Sequence, residues 1–181
     1  MARTQADILL EQFNSTVDKW ISYLDDYTLE MLCQRPNMQS WSLGQVYVHI
    51  IADTGFFVEQ IKICLLDDRN GNETMHDNAK AMFTRNSFPD MPLTNPSNDL
   101  NSKQPASKEE LLKGLVLIKN EVNRLYSSHD LSRSTGKTKH PGLQFFNALE
   151  WLQFAEMHKR HHFRQKKKID DQLLILKQRG Q

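Results

Sequence analysis

The sequence is poor in cysteine: Cys33 and Cys64 are the only two, and they are far apart. That argues against a disulfide framework and against a thiolate zinc site. No apolar run approaches the roughly 18 residues that a membrane span needs. The opening segment MARTQADILLEQF lacks a basic stretch followed by an apolar run, so it does not read as a signal peptide. Net charge is only +1, which gives no reason to expect nucleic acid or an acidic membrane as a partner. The run Lys166–Lys168 reads as a solvated face. Nothing alternates with period two over a useful length, so strands are not expected. These absences point to a soluble chain of the reducing cytoplasm.

What is present is helical periodicity. The 181 residues suffice for one domain with a substantial core, and we expect a single domain over 1–181. Leu9, Phe13, Val17, Trp20, Leu24, Tyr27 and Met31 recur at spacings of three and four, predicting one helix from about Ala6 to Cys33. A second helix is expected from SWSLGQVYVHI to about Leu66, with Ser40 or Ser42 as its cap. With Ser42 as cap, Gln45 falls at the capping-box position. Ser107 and Glu110 form a similar pattern at the head of a third helix, which ends near His129. The fourth helix is expected from about Leu143 to Lys177, after a polar loop that ends in a Pro-Gly turn. Between the second and third helices, residues 67–106 hold four of the six prolines and read as a long irregular connection, with a short helix near Asn78–Thr84. The predicted fold is all-α, a four-helix bundle with a long crossover connection.

Three of the seven histidines fall within five residues of the fourth helix. His158 and His162 are four apart, one turn along the same face. The threes and fours that begin at Trp151, Phe154 and Ala155 continue through His158, His162 and Gln165 to Ile169 and Leu173. The pair therefore lies on the core-facing stripe, and His161 points towards a flank, about 100° of rotation from His162. Two buried imidazoles are costly unless each finds a partner. A metal ion would serve both; neighbouring carboxylates or water are the simpler alternative. His49, in mid-helix, is the candidate third ligand, since His76, His129 and His140 fall in or beside polar loops. Asp53, one turn after His49, is a candidate catalytic or imidazole-orienting carboxylate, or a polar residue at the bundle edge.

At these positions the chain resembles the DinB-like superfamily of metal-dependent enzymes, which includes relatives of bacillithiol and mycothiol S-transferases. WSLGQVYVHIIAD is similar to the family's tryptophan-serine start with a histidine seven residues after the serine. HPGLQFFNALEWLQFAEMHKRHHFRQ is similar to its histidine-proline turn and its His-x-x-x-His-x-x-Gln signature. The resemblance implies a three-histidine site for a divalent metal, zinc or nickel, with His49, His158 and His162 as ligands. Gln165 matches the trailing glutamine, as a packing or ligand-supporting residue, and Trp41 the structural tryptophan. It implies transfer of a low-molecular-weight thiol to an electrophilic small molecule, and a homodimer. Two other readings of the same residues are hydrolysis by metal-activated water and a metal-binding bundle without catalysis. Three neutral imidazoles leave a coordination position open, which favours chemistry over a closed structural site.

Overall fold

The computed structural model describes residues 3–89 and 102–179, with side chains to Leu174. Helix α1 spans Gln5–Tyr23, α2 Leu29–Cys33, α3 Leu43–Cys64, α4 Asp77–Arg85, α5 Lys108–Ser128 and α6 Ala148–Arg179. Strands β1 (Lys137–His140) and β2 (Gln144–Asn147) form a hairpin before α6. Helices α1, α3, α5 and α6 make a four-helix bundle. Helix α6 packs on α3 and α1, and α5 packs on the same two helices from the other side. Among the described residues, no helix is long and apolar enough to cross a membrane.

The helix caps follow the chemistry of the sequence. Ser42, rather than Ser40, caps α3, and the reciprocal bonds with Gln45 are both made. Ser107 accepts from the Glu110 backbone N–H at 3.1 Å, but the Glu110 carboxylate reaches back to the Ala106 N–H. The short helix expected near Asn78–Thr84 is α4, capped by the His76 ring, whose Nδ1 accepts from Asn78 N at 3.1 Å. Of the expected long connection, residues 90–101 lie outside the described residues.

Three expectations need correction. The helix predicted from Ala6 to Cys33 is broken. Residues Leu24–Asp26 tighten into a 3-10 turn, Tyr27 is extended, and the Thr28 side chain caps α2 by accepting from Met31 N. A competing cap overrode a continuous apolar stripe. Strands do occur, since Thr138 pairs with Phe146 across the hairpin and both are buried. Each strand is four residues long, too short for an alternation to stand out. The fourth helix accordingly starts at Ala148, not near Leu143.

The core is knit across helices by polar groups as well as apolar ones. Tyr47 Oη on α3 donates to the Trp20 carbonyl on α1 at 2.8 Å, and Trp20 Nε1 donates to the Lys159 carbonyl on α6 at 3.2 Å. Trp20, Tyr47, Phe13, Phe146 and Trp151 are fully buried. At the far end of α3 the hairpin closes tightly. A Cβ at Gly136 would overlap the carbonyl oxygens of Asp67 and Cys64. Backbone on both sides leaves no flexible neighbour to yield. Gly136→Ala is therefore expected to destabilise the protein by about 2 kcal/mol or more, read as a lower urea midpoint, whereas Gly142→Ala, with open space at its Cβ, is expected to change little.

Candidate metal centre

Two helices bring the site together. The long α3–α6 seam places His49 and Asp53, one turn apart on α3, opposite His158 and His162, one turn apart on α6. Each of the three histidines offers a nitrogen, and these atoms all lie within 4.8 Å of one another. The ring centroids are 5.1 Å (His49–His158), 4.9 Å (His49–His162) and 4.7 Å (His158–His162) apart. His158 Nε2 and His162 Nε2 stand 3.2 Å apart. Two imidazole nitrogens bound to one tetrahedral ion lie about 3.3 Å apart, given metal–nitrogen distances of roughly 2.0–2.1 Å.

The protonation pattern suits a cation. Burial and the neighbouring rings push the His158 pKa well below 6.5. Burial, with His49 beside it, takes His162 down to about 3. Burial also lowers His49, opposed by the Asp53 charge. All three rings are therefore neutral at pH 7 and have lone pairs to offer. Gln165 Oε1 lies 2.7 Å from His162 Nδ1. A carbonyl oxygen can only accept, so the His162 proton sits on Nδ1 and the lone pair on Nε2 faces the cluster. Among the described residues His158 Nδ1 is buried with no hydrogen-bond partner, which leaves Nε2 as the ring's polar attachment. The donor set fits a divalent ion.

Asp53 approaches from one side, with Oδ1 3.5 Å from His49 Nδ1 and Oδ2 3.7 Å from His158 Nε2. Its side chain is 31% exposed, so this is the face that water reaches. Burial raises its pKa, and His49 opposes the rise. The other walls are aromatic: Trp41 sits 5.1 Å from the His49 ring, Phe57 5.5 Å and Phe88 6.0 Å from His158.

The remaining histidines do other work. His161 lies on the flank, 5.4 Å from His162 and 5.3 Å from Phe88. His140 accepts from Gly142 N and packs on Phe146, Trp151 and Phe154, and burial lowers its pKa to about 4. His129 Nδ1 lies 3.3 Å from the Leu125 carbonyl. Two residues that sequence reasoning passed over are buried charges on α6. Lys159 is fully buried, donates to Thr54 Oγ1 and the Ala155 carbonyl, and stands 4.0 Å over the Phe13 ring. Burial takes its pKa down to about 7. Glu156 accepts from Thr16 and, through both oxygens, from Arg160. No periodicity rule flags either, because each is a polar residue buried only by the packing of other helices, α1 over both and α3 over Lys159.

Two outcomes test this description. Gln165→Leu removes the acceptor that fixes His162 and is expected to weaken zinc binding about 10–100-fold with the fold intact, measured by competition with a chromogenic chelator. In the metal-free protein, His158, His162 and His140 titrate below the 6.5 of the unfolded chain. Between those values the unfolded state binds more protons, so stability falls as pH drops below about 6.5. The urea midpoint should be clearly lower at pH 5.5 than at 7.5; equal midpoints would contradict buried neutral rings.

A family model described as the DinB superfamily matches residues 12–165, a span that includes all three clustered histidines and ends at Gln165. A solved structure similar to this chain is YfiT from Bacillus subtilis, described as a probable metal-dependent hydrolase with an unusual four-helix bundle topology. The two share 15% identity with a TM-score of 0.65, over 96% of this chain and 90% of that one. At that identity the likeness concerns the fold. No curated protein matches the chain significantly.

Proposed function

The chain belongs to the DinB superfamily, and from that premise we propose a divalent-metal-dependent enzyme that transfers a low-molecular-weight thiol to a small electrophile. The observation that carries the metal reading is the convergence of three neutral imidazoles from His49, His158 and His162. Zinc or nickel suits such a donor set, and the setting is the cytoplasm. A bound divalent ion would supply positive charge that favours the deprotonated form of a nucleophile.

The chain's own residues do the rest. Gln165 holds the His162 tautomer. Asp53, half-open to solvent beside His49 and His158, takes the proton from the nucleophile's S–H. Its raised pKa brings it nearer the operating pH, which improves a general base. The sulfur then bonds to the electrophilic carbon, and the leaving group departs with its electron pair. Phe57, Phe88 and Trp41 limit water around the reacting atoms. Apolar walls favour a large, weakly hydrated sulfur nucleophile over a small oxygen one.

Hydrolysis is the second reading, favoured by the description of YfiT as a probable metal-dependent hydrolase. The same residues serve it, with water in place of the thiol. Turnover of a chromogenic electrophile by untagged, metal-loaded protein separates the two. Thiol transfer predicts turnover that requires added thiol; full rate without thiol would assign hydrolysis instead. Under either reading, Asp53→Asn should lower kcat by about 10²–10⁴-fold, the usual worth of general-base catalysis, while metal stoichiometry holds at that of the unaltered protein. A metal-binding bundle without catalysis predicts no turnover at all, and a stoichiometry near zero that zinc or nickel does not restore would remove the site.

A further inference from the structure

The segment after α4 contributes no nitrogen to the triad, yet it closes one side of it. Three α6 side chains hold the end of α4 and this segment, each through a backbone carbonyl. Gln153 Nε2 donates to Phe83 O at 3.2 Å, Arg160 Nη2 to Asn86 O at 2.7 Å, and Arg164 Nη2 to Phe88 O at 3.4 Å. Gln153 also donates to the Asn86 side chain at 3.1 Å. Residues 153, 160 and 164 are spaced by seven and four, so they form one stripe of α6 beside the histidine stripe. Arg160 is aligned for this by its paired bonds to buried Glu156. Asn86 ends α4 in the left-handed conformation (φ 48°, ψ 43°) and turns the chain back over α6.

That turn delivers Phe88, only 7% exposed, to the site. Its ring lies 5.2 Å from Phe154, 5.3 Å from His161 and 6.0 Å from His158. The His158 ring thus has two further aromatic neighbours, Phe57 of α3 and Phe88. The two arginine anchors grip carbonyls rather than side chains, so the side chain at position 88 is left to shape the surroundings of His158.

We propose that Phe88 is a specificity-determining residue of this site. Its ring lies beside His158 and selects an organic ligand by the bulk of the apolar group next to the atom that the triad holds. The inference rests on the metal reading above and holds whether the reaction is thiol transfer or hydrolysis.

Cobalt(II)-loaded full-length protein makes the test independent of the unidentified substrate. Benzenethiol, 2-naphthalenethiol and 2-mercaptoethanol are titrated in turn, and binding is followed by the sulfur-to-cobalt absorption band. The unaltered protein is expected to prefer benzenethiol to 2-naphthalenethiol. Phe88→Ala should shift that ratio about tenfold or more towards the larger ring, and leave 2-mercaptoethanol within about twofold, a scale set by adding or removing apolar volume in a pocket. Phe88→Leu should shift it less, and it preserves enough volume to serve if the alanine variant fails to fold. An unchanged ratio in a variant that still holds cobalt would overturn the proposal, as would equal weakening of all three ligands, which marks a residue that only packs. If the unaltered protein takes up no cobalt, the metal reading falls first and this inference with it.

Discussion

Three uncharged imidazoles held against one another in a mostly apolar interior are the constraint around which this bundle is arranged. Each ring gives up hydration when the α3–α6 seam closes, and desolvation is the first cause of every depressed histidine pKa here. Internal partners do not make this good. Gln165 satisfies one nitrogen of His162, Asp53 stands near His49 and His158, and His158 Nδ1 has no partner among the described residues. A divalent ion would take up the lone pairs that the protein has left facing one another, and the free energy of that binding would then be part of folding stability.

The same seam explains why a 32-residue helix is buried on nearly its whole circumference between Trp151 and Lys159. Helix α3 covers one face, α1 another, and the hairpin and the segment after α4 cover the rest. Polar residues trapped by this enclosure are satisfied in place. Lys159 finds a hydroxyl, a carbonyl and an aromatic face, and Glu156 finds Thr16 and Arg160. Such groups, once buried, fix the register of α6 against α1 and so fix where His158 and His162 stand relative to His49.

The two faces of the site differ in chemistry. The α3 side carries a carboxylate open to water, suited to exchanging a proton. Another side carries Phe88, whose backbone carbonyl accepts from Arg164 while Arg160 holds the Asn86 carbonyl. The carboxylate thus stands on a bundle helix and the phenylalanine on the connection, where changes of sequence leave a fold least disturbed.

Much of this was legible in the chain itself. Periodicity located the four long helices, the Ser42–Gln45 box set the start of α3, and the i, i+4 spacing placed His158 and His162 on the inward stripe. These are local rules, each satisfied within a few residues. Sequence could not locate the break at Tyr27, because a local cap competed with a continuing apolar stripe. Nor could it find the hairpin, whose alternation spans only four residues a strand. The buried Lys159 and the arrival of Phe88 at the site were decided by tertiary structure alone. The burial of Lys159 and the placement of Phe88 depend on elements distant in sequence, whereas the Gln165–His162 contact is local to α6 and needed only the side-chain rotamers to be set.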